Sequence, residues 1–174
     1  MKNFNLLVST SRFNEINAKS ELWFILLMCG DTYPIISGIQ FPGLITALTN
    51  LNSKYVISKI KKFQKKNYNF LQFILKIVPI DFTCETDTKT IKNVIQEHHK
   101  NFFTNGESFK IILKRRHHEK IERKSFIDDI ASKIDYKVDL ENPDKVIRIE
   151  ILGNISGISF LRKNEIVKIN KIKY

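Results

Sequence analysis

The sequence predicts an α/β (α+β) chain of two small domains, a ferredoxin-like βαββαβ unit over residues 1–80 and a second α/β unit over 81–174. Three observations predict it. Apolar residues in the first eighty positions recur alternately at period two and near period 3.6, in the order β-α-β-β-α-β, which is the split-βαβ pattern with both helices on one face of an antiparallel sheet. After Pro79 the composition changes, and Asp81-Phe82-Thr83-Cys84-Glu85-Thr86-Asp87 reads as a polar, acidic boundary. The length of 174 residues, 43% apolar and 27% charged, suits one domain or two small ones and suffices to bury about 70% of the unfolded surface.

In the first domain Phe4, Leu6 and Val8 alternate in a strand over 4–9. A helix follows from Asn14, with Ile16, Trp23, Leu26 and Leu27 as its inward positions and Trp23 placed in the core. Gly30 ends it, since glycine tolerates the positive φ found just past a helix terminus. Tyr33–Ile39 and Leu44–Leu48 read as strands divided by Phe41-Pro42-Gly43. Asn52 or Ser53 caps a second helix whose stripe is Val56, Ile60 and Phe63. Phe70–Val78 is the last strand, ended by Pro79.

In the second domain a helix is expected from Thr88 to Phe103, ended by Asn105-Gly106. Phe109, Ile111 and Leu113 alternate with Lys110 and Lys114 in a strand. Ser125–Ile134 reads as helix, Tyr136–Leu140 as extended, and Ile147, Ile149 and Ile151 as a strand alternating with Arg148 and Glu150. Ile158 and Phe160 suggest one strand more. Glu165–Tyr174 fits either a strand or a frayed tail.

Twenty-nine Lys and Arg against 18 Asp and Glu leave a net charge of +11, which favours a polyanionic partner. Residues 1–80 carry 10 cations and 3 anions, residues 81–174 carry 19 and 15. Lys110, Lys114, Arg115, Arg116, Lys120, Arg123 and Lys124 fall within fifteen residues, with His117 among them. They run off a strand, through a loop and into a helix start, where cations and free backbone N–H groups together suit an anion. Adjacent arginines favour bidentate phosphate contact, while Glu119 and Glu122 dilute the cluster. A second set, which includes Lys59, Lys62 and Lys66, lies on the helix 53–66 without an acidic residue. It is either an auxiliary RNA surface or a solvated face.

The longest apolar run, Leu22–Cys29, has eight residues, against the ~20 needed to span a bilayer. No secretion signal is read at the N-terminus, and two cysteines, Cys29 and Cys84, make no disulfide framework. The expected compartment is the cytoplasm, with both thiols free. No Gly-rich strand-to-helix loop supplies a dinucleotide, methyl-donor or P-loop site. No Cys-x-x-Cys is present for zinc. His98-His99, His117-His118 and Asp128-Asp129 are adjacent pairs, and neighbours on a helix or strand point in different directions. Ser9-Thr10-Ser11 has no recognisable His or Asp partner.

Lys110-Ile111-Ile112-Leu113-Lys114-Arg115-Arg116, the helix end Ile130-Ala131-Ser132-Lys133-Ile134 and the segment Lys137-Val138-Asp139-Leu140-Glu141-Asn142-Pro143-Asp144, followed by the strand to Ile151, resemble a THUMP domain. Gly157-Ile158-Ser159-Phe160-Leu161, together with Asn5–Thr10, Glu21-Leu22 and Gly30-Asp31, resembles the stand-alone THUMP proteins that assist tRNA cytidine acetylation. The resemblance implies an N-terminal ferredoxin-like domain joined to an α/β THUMP domain, the two forming one module for the acceptor stem and 3′ end of tRNA. It implies a non-catalytic adaptor without a cofactor of its own. A separate RNA acetyltransferase would use ATP and acetyl-CoA to form N4-acetylcytidine. The expected RNA-contact set is Lys110, Lys114, Arg115, Arg116, His117, Lys120, Arg123, Lys124, Asn142 and Arg148, with Lys59, Lys62 and Lys66 as the auxiliary surface. Asn142-Pro143-Asp144 also reads as a strand-entry turn closed by Asn142 or Asp144. Two other functions stay open: a chain that itself modifies RNA, and a role in ribosome assembly.

Overall fold

A computed structural model describes residues 3–116 and 121–169. The chain divides into two compact units, one ending at Ile80 and regained from Asn164, the other Asp81–Lys163.

The first unit runs β1 (Leu6–Thr10), α1 (Glu15–Cys29), β2 (Ile35–Gly38), β3 (Leu44–Leu48), α2 (Ser53–Lys66) and β4 (Ile74–Pro79). These strands lie in the order β4-β1-β3-β2 with every neighbour antiparallel, Leu6 facing Ala47 on one side and Pro79 on the other. This is the ferredoxin-like arrangement. Leu6, Val8, Ile45, Ile74 and Ile77 from the sheet meet Leu22, Ile25 and Leu26 of α1 and Val56, Ile57 and Ile60 of α2 in one core. Two local features hold the helices in register. Gly30 takes φ +104° and its N–H closes on Leu27, the left-handed cap expected there. Asn52 Oδ1 accepts the N–H groups of Lys54 and Tyr55 at 3.0 and 3.1 Å.

Glu15 and Glu21, spaced nearly two turns apart, tie α1 to loops. Glu15 Oε1 accepts the Gly43 N–H at 2.6 Å. The two Glu21 oxygens accept the N–H groups of Gln72, Phe73 and Ile74 at 2.5, 3.0 and 2.8 Å. Gly43 is constrained twice: its φ is +77°, and a Cβ there would lie 2.9 Å from the Thr10 carbonyl oxygen.

The second unit runs β5 (Phe82–Glu85), α3 (Thr88–His98), a 3₁₀ turn (His99–Asn101), β6 (Ser108–Arg116), α4 (Arg123–Ala131), β7 (Lys137–Val138), β8 (Lys145–Leu152) and β9 (Ile155–Arg162). Its sheet has the order β5-β9-β8-β6-β7, with β6 parallel to β7 and β8 and the remaining pairs antiparallel. Phe109 and Leu113 of β6, Ile147, Ile149 and Ile151 of β8, and Ile158 and Phe160 of β9 form its core with Ile91, Ile95, Phe126 and Ile130.

Four expectations are corrected. Trp23 is 50% exposed, and Ile16 is exposed with it; α1 buries the expected Leu26 together with Ala18, Leu22, Ile25 and Cys29. The half Leu22–Cys29 is apolar all round and has no single stripe to read, so periodicity placed Leu26 correctly inward but Ile16 and Trp23 wrongly. The polar segment 81–87 contains β5, because Phe82 and Cys84 alternate toward the core while Thr83 and Glu85 do not. The helix from Thr88 stops at His98; the 3₁₀ turn redirects the chain so that Phe102 stacks on Phe160 with centroids 4.6 Å apart. Residues 164–169 do not complete the second unit: Val167–Lys168 form β10, antiparallel to β4 at the edge of the first sheet.

Candidate nucleic-acid interface

β6 carries the candidate site because a strand sends successive side chains to opposite faces. Phe109 and Leu113 point into the core, which puts Arg115 on the helix side. Lys110, Ile112, Lys114 and Arg116 occupy the other face. The two arginines at the strand exit therefore diverge. The Arg115 guanidinium donates to the backbone carbonyl of Ile121, anchoring the chain where it enters α4. Lys114, Arg115 and Arg116 are all exposed, and of the two arginines it is Arg115 that has this backbone partner. Lys110 is half-buried, and its ammonium donates to the Leu140 carbonyl at 3.2 Å. His117 and Lys120 lie outside the described residues.

Arg123 and Lys124 are exposed in the first turn of α4. The free N–H groups expected there are occupied. Glu122 is the N-cap, its carboxylate accepting the N–H groups of Lys124 at 2.9 Å and Ser125 at 2.6 Å. Those backbone hydrogen bonds, with the Ser125 hydroxyl and the nearby Arg115 charge, hold the Glu122 carboxyl down at about 2. The helix start thus already holds its anion, and phosphate contact is left to the side chains.

Two further candidates change role. Arg148 is 5% exposed and pairs with Glu150, which is 6% exposed; Nε and Nη2 reach Glu150 Oε1 at 2.7 and 2.5 Å. A guanidinium so buried and paired cannot meet a phosphate without breaking the pair, so it leaves the RNA-contact set. The strand alternation placed Arg148 on the face opposite the isoleucine core correctly, but could not show that this position is covered. Asn142 is exposed at the turn before β8. Its backbone N–H donates to Asp139 Oδ1 at 2.9 Å, as does that of Glu141 at 3.0 Å. Asp139, not Asn142, closes this turn. Asp144 instead joins the starts of β8 and β6: Oδ2 accepts from the Ser108 N–H and hydroxyl, both at 2.8 Å, and those bonds lower its pKa.

On the first unit, Tyr55, Lys59, Lys62 and Lys66 recur at helical spacing along α2. Lys62 and Lys66 are exposed, and the Lys59 ammonium lies 5.3 Å from the Tyr55 ring centroid. Lys61 points elsewhere and donates to the Asn164 carbonyl.

One feature was not legible beforehand. A cleft of about 460 Å³ is lined by His99, Lys100, Asn105, Gly106, Glu107, Asp135, Tyr136 and Lys137. It opens where β6 begins, whereas Arg116 ends that strand; at about 3.3 Å per residue the two lie roughly 26 Å apart. Its residues come from separate segments of modest composition, so no local pattern announces it. His98 stacks on Phe82 while His99 is buried with Nδ1 2.9 Å from the Gln96 carbonyl. Among the described residues no group of three His, Cys, Asp or Glu could hold a metal ion. Among them, too, no helix is long and apolar enough to cross a membrane. Cys29 and Cys84 are free.

The chain has a ferredoxin-like unit followed by an α/β unit with a cation-rich strand exit, and residues 85–161 match the THUMP domain model. That match covers most of the second unit and none of the first. Its fold is similar to that of PH1313 from Pyrococcus horikoshii Ot3, with a TM-score of 0.68 and 16% identity over 92% of this chain and 55% of that one. It is also similar to TrmN from Thermus thermophilus, with a TM-score of 0.56 and 10% identity over 89% of this chain and 44% of that one. A 4-thiouridine synthetase solved as an RNA complex with bound ATP matches with a TM-score of 0.54 and 14% identity, over 95% of this chain and 42% of that one. At these identities the likeness is one of fold, and this chain spans about half the length of those proteins. A comparison with curated proteins finds no match.

Proposed function

We propose that the chain binds tRNA and serves as the RNA-binding part of a tRNA-modifying system, without a catalytic centre of its own. The observation that carries the reading is the exposed pair Lys114 and Arg116 on one face of β6, with Arg123 and Lys124 exposed at the start of α4. These side chains can meet a phosphate backbone while Glu122 and Arg115 keep the strand-to-helix junction in shape. A-form RNA hides its major-groove base edges, so shape and a single-stranded end would set selectivity. The 4-thiouridine synthetase with the same fold is solved with RNA, which supports an RNA partner for this arrangement of domains.

The system served is either of two. Similarity to a thiouridine synthetase favours a general role in tRNA modification. The narrower reading is N4-acetylcytidine formation by a separate RNA acetyltransferase that would bring ATP and acetyl-CoA. It rests on the sequence resemblance of Asn5–Thr10, Glu21-Leu22, Gly30-Asp31 and Gly157–Leu161. In this fold those residues also have structural work, as strand β1, the Glu21 loop clamp and strand β9.

With about four phosphates contacted, log affinity for tRNA should fall against log salt with a slope of roughly −3 to −4, by analogy with duplex DNA. A slope near zero removes the electrostatic reading. Purification from the source cell with and without nuclease would identify the RNA and any enzyme held through it. Incubation of the pure chain with tRNA and group donors, followed by nucleoside mass spectrometry, tests the non-catalytic reading; a new modified nucleoside refutes it.

A further inference from the structure

The cleft at the start of β6 holds polar groups that the fold leaves unengaged. His99 is 5% exposed. Its Nδ1 lies 3.1 Å from the Ile95 carbonyl oxygen and 2.9 Å from that of Gln96. Carbonyl oxygens only accept, so Nδ1 carries the proton and, in the neutral ring, Nε2 is an acceptor. Nε2 has no partner among the described residues, yet it is not sealed in: the one sealed side-chain polar atom without a partner among them is Asp31 Oδ2. Since His99 lines the cleft, that is where its nitrogen is reached. A buried acceptor left open to a cleft is satisfied by an N–H or O–H donor from outside the chain.

The other walls narrow the choice of donor. Tyr136 is half-buried, its ring held by Phe103 at a centroid distance of 4.8 Å and set edge-on to His99 at 6.3 Å. A ring fixed in this way can stack a flat aromatic ligand with little further loss of side-chain entropy. Lys100 and Lys137 also line the cleft, and both are exposed. Of its two carboxylates, Glu107 is taken by the Thr104 N–H at 2.9 Å and by Lys145 and Arg162 at 3.5 and 3.7 Å. Asp135 alone then opposes the two lysines. An aromatic wall, an open acceptor and surplus positive charge in about 460 Å³ suit a planar base that bears an N–H and carries a phosphate. That volume lies within the range of about 300–1,000 Å³ found for small-ligand pockets.

We propose that this cleft binds one nucleotide, its base laid on Tyr136, an edge N–H donated to His99 Nε2, and its phosphate met by Lys100 and Lys137. The chemistry is shared by a free mononucleotide and by an unstacked nucleotide of a bound RNA. A base inside a duplex is stacked on both faces and cannot lie on Tyr136, so only an unpaired or free nucleotide qualifies. The site stands at the opposite end of β6 from Arg116, and its occupancy does not depend on the phosphate contacts proposed there.

NMR of the full chain, with the histidine rings labelled in nitrogen, tests this without tRNA. Titration with AMP should shift the Nε2 signal of His99 and saturate. Ribose phosphate, which lacks the base, should bind at least about tenfold more weakly. The dimethylamino analogue of AMP keeps the ring and the phosphate but has lost both amino N–H donors. It should also bind about tenfold more weakly, because Nε2 is then buried without a partner. Lys100→Ala combined with Lys137→Ala should weaken AMP binding several-fold with melting unchanged, since both side chains are exposed. His99→Phe should abolish the preference for AMP over its dimethylamino analogue; should that variant unfold, the two ligands compared on the parent chain still decide. Added tRNA assigns the source: displacement of AMP marks an RNA nucleotide, simultaneous binding a free one, and both results support the site. No shift of His99 Nε2 at about 10 mM AMP, or equal affinity for AMP and its dimethylamino analogue, overturns the proposal whatever the salt dependence of tRNA binding.

Discussion

The Glu122 carboxylate accepts the Ser125 N–H at 2.6 Å, and so fills the helix terminus that a phosphate would otherwise approach. With its pKa lowered from 4.5 to about 2 by those backbone bonds, the cap is stronger when ionised. A depressed folded pKa contributes stability that is fully present above the unfolded value and is lost as pH falls through the folded one. This group's contribution to the melting temperature should therefore be full and constant above about pH 5 and be lost from about pH 4.5 toward 2. Glu122→Gln should flatten its share of that fall and, at neutral pH and low salt, tighten tRNA binding by removing a negative charge beside Arg123 and Lys124. Paired thermal melts across pH and tRNA titrations would read both effects.

Arg115 and Arg116 should separate cleanly. Arg116→Ala is expected to weaken tRNA binding and reduce the magnitude of the salt slope by about one, with melting unchanged. Arg115→Ala removes the donor to Ile121 and should lower the melting temperature. Equal effects of the two substitutions on melting would show that the strand exit is not divided in this way.

The Arg148–Glu150 pair is a stability element. Removing one partner of a buried pair leaves the other uncompensated and costs about 3–5 kcal/mol. Arg148→Ala should lower unfolding free energy on that scale in denaturant melts. The double change Arg148→Met with Glu150→Leu should recover most of it, since an apolar pair of similar volume needs no desolvated charge. Recovery of tRNA affinity by the double variant would confirm that Arg148 makes no RNA contact.

Gly43→Ala combines a positive φ with a Cβ 2.9 Å from the Thr10 carbonyl oxygen. Backbone strain of this kind costs about 1–3 kcal/mol, and the close approach adds to it. Chemical denaturation should show the loss. An unchanged midpoint would mean that the β2–β3 connection relaxes without cost.

Lys62 and Lys66 are exposed on α2, and neither belongs to the first core. Replacing both with Glu should lower tRNA affinity several-fold at low salt and leave melting unaltered if the helix is an auxiliary surface. No change in affinity would assign the stripe to solvation alone.

Much of the architecture was readable residue by residue. The β-α-β-β-α-β order, Gly30 as a cap, Asn52 as an N-cap and the isoleucine alternation of β8 all follow from local periodicity and local hydrogen bonding. β5 was hidden because two inward residues, Phe82 and Cys84, are too few to stand out in a polar segment. β10 was ambiguous because a two-residue strand is defined by the partner it finds, here Ile77 and Lys76.

The site divides in the same way. Sequence alone determined which cations cluster; it took Arg115 and Arg116 as neighbours suited to one phosphate, and the extent of β6 through Arg116 set them on opposite faces. Only the tertiary structure decided that Arg148 is sealed beside Glu150, that Glu122 occupies the start of α4, and that Trp23 faces outward. Periodicity reports which side chains share a face; whether that face is covered depends on surfaces brought together from distant parts of the chain.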